Sequence, residues 1–89
     1  MDIPTSLHLQ IVSADRSLVN EPHVDEVEIP GSEGYFGVLP GHAALLALLG
    51  AGELWYRKGQ EKIYLVVAFG FAEVLPALAC VLAEGVLTP

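Results

Sequence analysis

The sequence is short of cations: Arg16, Arg57, Lys58 and Lys62 stand against eleven carboxylates in 89 residues, a formal charge of −7. Four dispersed positive charges cannot neutralise a run of phosphates, and the carboxylates repel them, so nucleic acid is excluded as a partner. Cysteine is limited to Cys80. One thiol makes no internal disulfide, so a domain this small is held by packing or by docking onto something else, as suits a reducing compartment. Charged residues reach only 17% while apolar ones reach 53%, which is too oily for intrinsic disorder and fits one small folded domain. Long apolar runs are missing too: the richest, Ile63 to Ala72, is about half the roughly 20 residues of a membrane-spanning helix and closes on Glu73. The opening Met1-Asp2-Ile3-Pro4 has neither the basic nor the apolar region of a secretory signal, which points to a cytosolic chain.

What is present is period-two patterning. Leu7, Leu9 and Ile11 alternate with His8 and Gln10, which predicts a first strand. After a turn at Ser13 to Arg16, Leu18-Val19 predicts a brief second one. Val27 and Ile29 alternate with Glu26, Glu28 and Pro30, while Val24 is one step out of parity, so a bulge or bend is expected near Asp25. Gly31-Ser32-Glu33-Gly34 reads as a hairpin turn into Tyr35 to Leu39, its two glycines supplying positive φ. Between Pro40-Gly41 and Gly50-Ala51-Gly52, residues Ala43 to Leu49 read as a turn plus a short strand. Leu54 to Arg57 and Glu61 to Ala68 flank Lys58-Gly59-Gln60 as a hairpin, and the second arm is apolar on both faces, one for a second sheet and one for a partner. Phe69-Gly70-Phe71, Glu73 to Leu75 and Leu78 to Ala83 complete the series. Short strands punctuated by Gly and Pro, without a long amphipathic helix, predict an all-β sandwich or barrel of mostly antiparallel strands. The domain is expected over residues 6–84, with residues 1–5 and 85–89 as flexible ends.

The polar residues do not assemble into a known chemistry. Asp25, Glu26 and Glu28 lack the converging oxygen ligands of a hard-cation loop, and Glu26 and Glu28 fall on one solvated strand face. His8, His23 and His42 have no companion at ligand spacing, so no metal site is expected. Ser13 and Ser32 lack a nucleophile elbow, and no catalytic residue is assigned. Gly31, Gly34 and Gly37 recur without a following helix or a Lys-Ser/Thr pair, so they read as turn glycines and no nucleotide or other cofactor is expected. Cys80, among Leu78, Ala79, Val81 and Leu82, reads as a core hydrophobe. Trp55 and Tyr56 are adjacent in a strand and point to opposite faces, which prevents one sugar-stacking shelf.

Taken in order, Leu7 to Asp15, Val27 to Gly34, Gly37-Val38-Leu39-Pro40-Gly41-His42-Ala43, Leu45-Leu46, Gly52-Glu53-Leu54, Ile63-Tyr64-Leu65, Gly70-Phe71-Ala72-Glu73-Val74 and Val81-Leu82-Ala83-Glu84 resemble the epsilon subunit of bacterial F-type ATP synthase. Gly31 to Gly34 followed by Gly37 to Ala43 is the most specific part. Departures are Ala44 where the family usually has Pro, Phe69-Gly70-Phe71 for a Gly-Gly-Phe-like step, and Pro76-Ala77-Leu78 for a Pro-Gly-Asn turn. The last questions the turn type, since Ala77 and Leu78 are strained at positive φ. The family's C-terminal helical hairpin has no counterpart in these residues.

The resemblance implies a flattened β-sandwich of about ten short strands in the central stalk of a proton-translocating enzyme. It implies a non-catalytic rotor subunit that links the gamma subunit to the c-ring at the cytoplasmic face of the bacterial inner membrane. It places gamma-subunit contacts at Ser13, His42 and Ala47, and c-ring contacts at Glu33, Gly34 and Tyr35; Phe36, the next position of the same loop, is expected from its apolar ring to enter the core. No direct membrane span is implied, and the isolated chain is expected to be a monomer. The competing reading is a free-standing β-sandwich that binds a carbohydrate or small ligand.

Overall fold

The computed structural model describes residues 4–87, and these form seven strands and no helix. The strands are β1 (Leu7–Val12), β2 (Ser17–Val24), β3 (Glu26–Gly31), β4 (Gly34–Val38), β5 (Leu45–Lys58), β6 (Glu61–Leu75) and β7 (Leu78–Leu87). They make one sheet in the order β2-β1-β7-β6-β5-β3-β4. Only β1 and β7 pair in parallel; every other pairing is antiparallel.

The sheet is folded over on itself. A straight strand of fifteen residues spans about 50 Å at ~3.3 Å per residue, whereas the molecule is 36 Å in its longest dimension. The bend lies where the inward-facing parity changes. Leu65 and Val67 are buried before it on β6, and Ala72 and Val74 after it; on β5 the buried set changes from Leu49 to Leu54 and Tyr56. On β7 it changes from Ala79, Val81 and Ala83 to Val86, which packs on the core. The register continues across these points and sets Gly50, Phe69 and Glu84 abreast. Phe69 has φ of 59° and Gly70 of 139°. At Gly70 a side chain would also run into the Leu82 carbonyl, so only glycine fits there.

The bend produces two layers around one core. The first layer joins β2, β1 and the first part of β7 to the second half of β6 and the first part of β5. The second layer joins the end of β7 to the first half of β6, the second half of β5, β3 and β4. Each layer therefore contains five strand segments, ten in all, carried on seven continuous strands. The turn and short strand expected over Ala43–Leu49 become the approach to β5 and its first part rather than a separate element, and Glu61–Ala68 and Glu73–Leu75 both belong to β6. Leu18-Val19 belongs to a longer β2 that runs through Pro22 and His23. The ladder runs to Leu87, past the boundary expected at residue 84. Residues 1–3 and 88–89 of the expected loose ends lie outside the described residues.

The turns explain the register. Asp25 is the break between β2 and β3, and it puts Val24 in the core as expected. In the Ser32-Glu33 turn only Gly34 has positive φ, 130°. Gly31 serves a different purpose: a Cβ there would lie 2.8 Å from the Gly34 carbonyl oxygen and 3.1 Å from the Phe36 ring. Gly59, at φ 62°, takes the first central position of the β5–β6 hairpin, as a type II′ turn requires. Pro76-Ala77 connects β6 to β7 without positive φ at either residue, so the strain anticipated at Ala77 and Leu78 is not incurred.

Candidate functional site

The outer surface of the first layer is apolar over β5, β6 and β7. Leu46 and Leu48 on β5 are 70% and 67% exposed, and Phe71 on β6 is 43% exposed. They alternate with inward residues, as period two demands. Cross-strand pairing sets Leu48 beside Phe71 and Phe71 beside Leu82, and sets Leu75 beside Leu78. The row between contains Leu46, Glu73 and Cys80. Glu73 is the one charge in this apolar field. Cys80 is half-buried on this outer face and is not a core residue; Ala79 and Val81 on either side fill the core instead. Burial and the neighbouring Glu73 carboxylate raise the Cys80 thiol pKa, so the thiol stays protonated and unreactive near neutrality.

The three residues of the expected gamma contact are dispersed over the first layer. Ser13 follows Val12, which pairs with Leu82, at the bend end of the layer. Its hydroxyl donates to Asp15 Oδ1 at 2.8 Å, and its N–H to the Arg16 carbonyl at 2.9 Å. His42 lies at the opposite end, next to Gly41, whose N–H donates to the Pro76 carbonyl at 2.8 Å. The His42 ring donates through Nδ1 to the Ala43 carbonyl at 2.6 Å, which leaves Nε2 open to a partner. Ala47 is on the β5 border, in the cross-strand row of Ala72, Val81 and Ile11. Ala47 shares strand parity with the buried Leu49 and pairs with the inward-facing Ala72, so it faces away from the outer apolar field, while Ser13 and His42 lie at opposite ends of the layer.

Glu33, Gly34 and Tyr35 are all exposed at the β3–β4 tip. Tyr35 is 56% exposed, but its hydroxyl accepts the Glu53 N–H at 3.1 Å, with the ring end over Gly52. Phe36 packs on the core from the other side of the strand. A groove of about 460 Å³ separates this tip from the β5 border, lined by Gly31–Gly34, Phe36 and Leu45–Leu48. Ala47 lines it as well, together with Glu33 and Gly34 of the expected c-ring contact.

Arg57, Lys58 and Lys62 of the second layer all have acidic or aromatic partners. Arg57 Nε donates to Glu26 Oε1 at 3.2 Å, and its guanidinium lies 3.7 Å from Asp25. Lys58 reaches Glu21 at 3.2 Å, which raises its pKa. Lys62 lies 4.2 Å over the Trp55 ring. The Arg57 and Lys58 ion pairs join residues more than thirty positions apart, and no spacing in the sequence announces them. Trp55 and Tyr56 take opposite faces as expected, Tyr56 being buried. The larger apolar surface was also missed: both-faced patterning is evident at Ile63 to Ala68, whereas the first layer's outer row becomes visible only when Leu46, Phe71 and Leu82 are aligned across strands. Among the described residues no group of three or more His, Cys, Asp or Glu side chains is placed to hold a metal ion.

Comparison with known proteins adds to this geometry. The chain is 48% identical over 82 residues to an ATP synthase epsilon chain of Solibacter usitatus, covering 92% of this chain and 60% of that one. It is 42% identical over 84 residues to the ATP synthase epsilon chain of Koribacter versatilis, covering 94% and 58%. The chain thus spans about three-fifths of the length of these relatives. Its fold superposes with a TM-score of 0.92 at 26% identity on a chain in a structure of the Euglena gracilis mitochondrial ATP synthase OSCP/F1/c-ring, covering 99% of this chain and 56% of that one. A chain from the central stalk and c-ring of the Tetrahymena thermophila mitochondrial ATP synthase shares the fold, with a TM-score of 0.77 at 11% identity over 98% of this chain and 69% of that one. The model of the ATP synthase delta/epsilon chain β-sandwich domain matches residues 6–89, and the chain belongs to that family.

Proposed function

We propose that this chain is a non-catalytic central-stalk rotor subunit of a proton-translocating F-type ATP synthase. It joins the gamma subunit to the c-ring at the cytoplasmic face of a bacterial inner membrane and couples proton flow to ATP synthesis. The observation that carries this reading is the apolar outer face over β5, β6 and β7, on which Leu46, Leu48 and Phe71 stand exposed. Leu46, Leu48 and Phe71 are too exposed for a free surface to hold at no cost, and a permanent protein partner covers such a face. Glu33, Gly34 and Tyr35 form the c-ring contact, with Tyr35 pre-ordered by its bond to the Glu53 N–H. Strands that continue through the bend tie both layers into one body, which is what torque transmission needs.

A tagged copy expressed in its host and purified from mild-detergent membranes tests the reading. Gamma and c subunits should co-purify in stoichiometric amounts. Recovery of the chain alone, or with bound sugar, favours the ligand-binding module instead. Tyr35→Asp should leave gamma co-purification intact and lower proton-driven ATP synthesis in inverted vesicles. Normal synthesis removes Tyr35 from the c-ring contact.

A further inference from the structure

We propose that the open border of β5 at Leu46, with the groove beside it, is a strand-addition site. Its occupant is an extended segment of another protein, apolar in alternate positions and carrying a Lys or Arg that meets Glu33. The main chain carries the argument. Ser32 N–H donates to the Leu48 carbonyl at 2.9 Å, so Leu48 turns its carbonyl away from β6 and toward the β3 side. Main-chain groups two residues apart in a strand point the same way. The N–H and C=O of Leu46 therefore also aim away from β6, and β3 ends its pairing at Gly31 with Leu49. No strand among the described residues lies beside Leu46 on that side.

The borders at β2 and β4 are guarded and this one is not. The outer strand β2 carries Asn20, Glu21, Pro22 and His23, and β4 is five residues long. Charge, proline and shortness are the usual protections of a sheet border. The Leu45–Leu48 border has no charged residue and no proline, which leaves it available for pairing. The groove of about 460 Å³ lies against it, within the roughly 300–1,000 Å³ of ligand clefts. Phe36, Leu45 and Ala47 give it an apolar lining, suited to alternate side chains of an added strand. Glu33 is the single charged residue in the lining, which selects a cation. A second copy is disfavoured as occupant: a two-fold pairing through Leu46 sets each Glu33 tip against the other border, between chains of charge −7.

The site is tested on the isolated chain by amide NMR, with acetyl-Lys-Val-Thr-Val-Thr-Val-Lys-amide as probe. The Leu46 amide should shift and its hydrogen exchange should slow, with Kd below about 1 mM. The same peptide with Glu for both Lys should bind at least about fivefold more weakly, and Glu33→Gln should shrink that difference. Leu46→Pro removes the outward N–H without touching the β6 ladder and should weaken the Lys peptide by about fivefold or more. Leu46→Thr keeps the N–H and should bind it as the parent does. Unchanged affinity in a folded Leu46→Pro variant, or shifts confined to Phe71 and Leu78, overturns the proposal. So does Leu46 protection that grows with chain concentration in the absence of peptide, which identifies a second copy as the occupant.

Discussion

Gly70 is the residue on which the bend depends. Its φ of 139° is outside the range of side-chain-bearing residues, and a Cβ would collide with the Leu82 carbonyl of the adjacent strand. Gly70→Ala should therefore cost on the order of 3 kcal/mol, combining backbone strain with overpacking. In a domain of this size that lowers the melting midpoint by roughly 12–24 °C. A loss below 3 °C in thermal melting shows that the bend is maintained elsewhere. Phe69 makes the contrast: it holds φ of 59° without glycine, so Phe69→Gly relieves strain at an exposed position and should be neutral or slightly stabilising. Tyr35 is a third residue-scale case. Tyr35→Phe leaves the Glu53 N–H facing solvent and should cost about 0.5–1.5 kcal/mol in urea denaturation.

At the scale of the strand, the β5–β6 hairpin is fastened to β2 and β3 by charges. Arg57 donates to Glu26 and to the Gly59 carbonyl at 2.8 Å, and the Gly59 N–H donates to Asp25 Oδ2 at 2.7 Å. Arg57→Met should cost about 1 kcal/mol, more than Lys58→Met, because three acceptors depend on one guanidinium while Lys58 is a single solvent-exposed pair. Equal losses from the two variants in denaturant titration discount the network. This fastening was illegible in the sequence, because register between distant strands is set by the closed sheet. The local signals were legible: Leu7, Leu9 and Ile11 are buried in alternation, Asp25 breaks the chain, and Gly59 turns the hairpin. The short strands expected within Ala43–Leu49 and at Glu73–Leu75 are segments of longer ones, because Gly50 and Phe69-Gly70 bend a continuous ladder where sequence punctuation suggests an end. Cys80 was misassigned by its apolar neighbours. Strand parity puts Ala79 and Val81 inward, and composition alone carries no parity. Of the candidate site, the exposed Glu33–Tyr35 tip was readable from the Gly31–Gly34 turn. The apolar face required the cross-strand rows.

For the whole molecule, the raised pKa values of Cys80, Tyr56 and Lys58 predict a loss of stability on the alkaline side. Burial raises Cys80 and Tyr56, and the hydrogen bond to Glu21 raises Lys58. A group whose folded pKa exceeds its unfolded value contributes fully below the unfolded value and loses that contribution as pH rises through the folded one. The unfolded values are 9.0, 10.0 and 10.5, so stability should begin to fall near pH 9 and decline further above it. Cys80→Ser should flatten the first part of that decline; a denaturation midpoint that stays level from pH 8 to 11 refutes the linkage. The same global view separates stability from assembly. Phe71 lies in the apolar face and outside the core, so Phe71→Lys should change stability by no more than about 0.5 kcal/mol. If gamma covers that face, the substitution places an ammonium in an apolar contact and should weaken gamma binding by about tenfold or more, a loss of roughly 1.4 kcal/mol or greater. Glu73, in the next row, offsets part of this repulsion, so Phe71→Glu, which puts a second carboxylate near the first, should weaken binding further than Phe71→Lys. Calorimetry with purified gamma subunit measures both. Wild-type affinity in two variants with unchanged melting moves the gamma contact off this face.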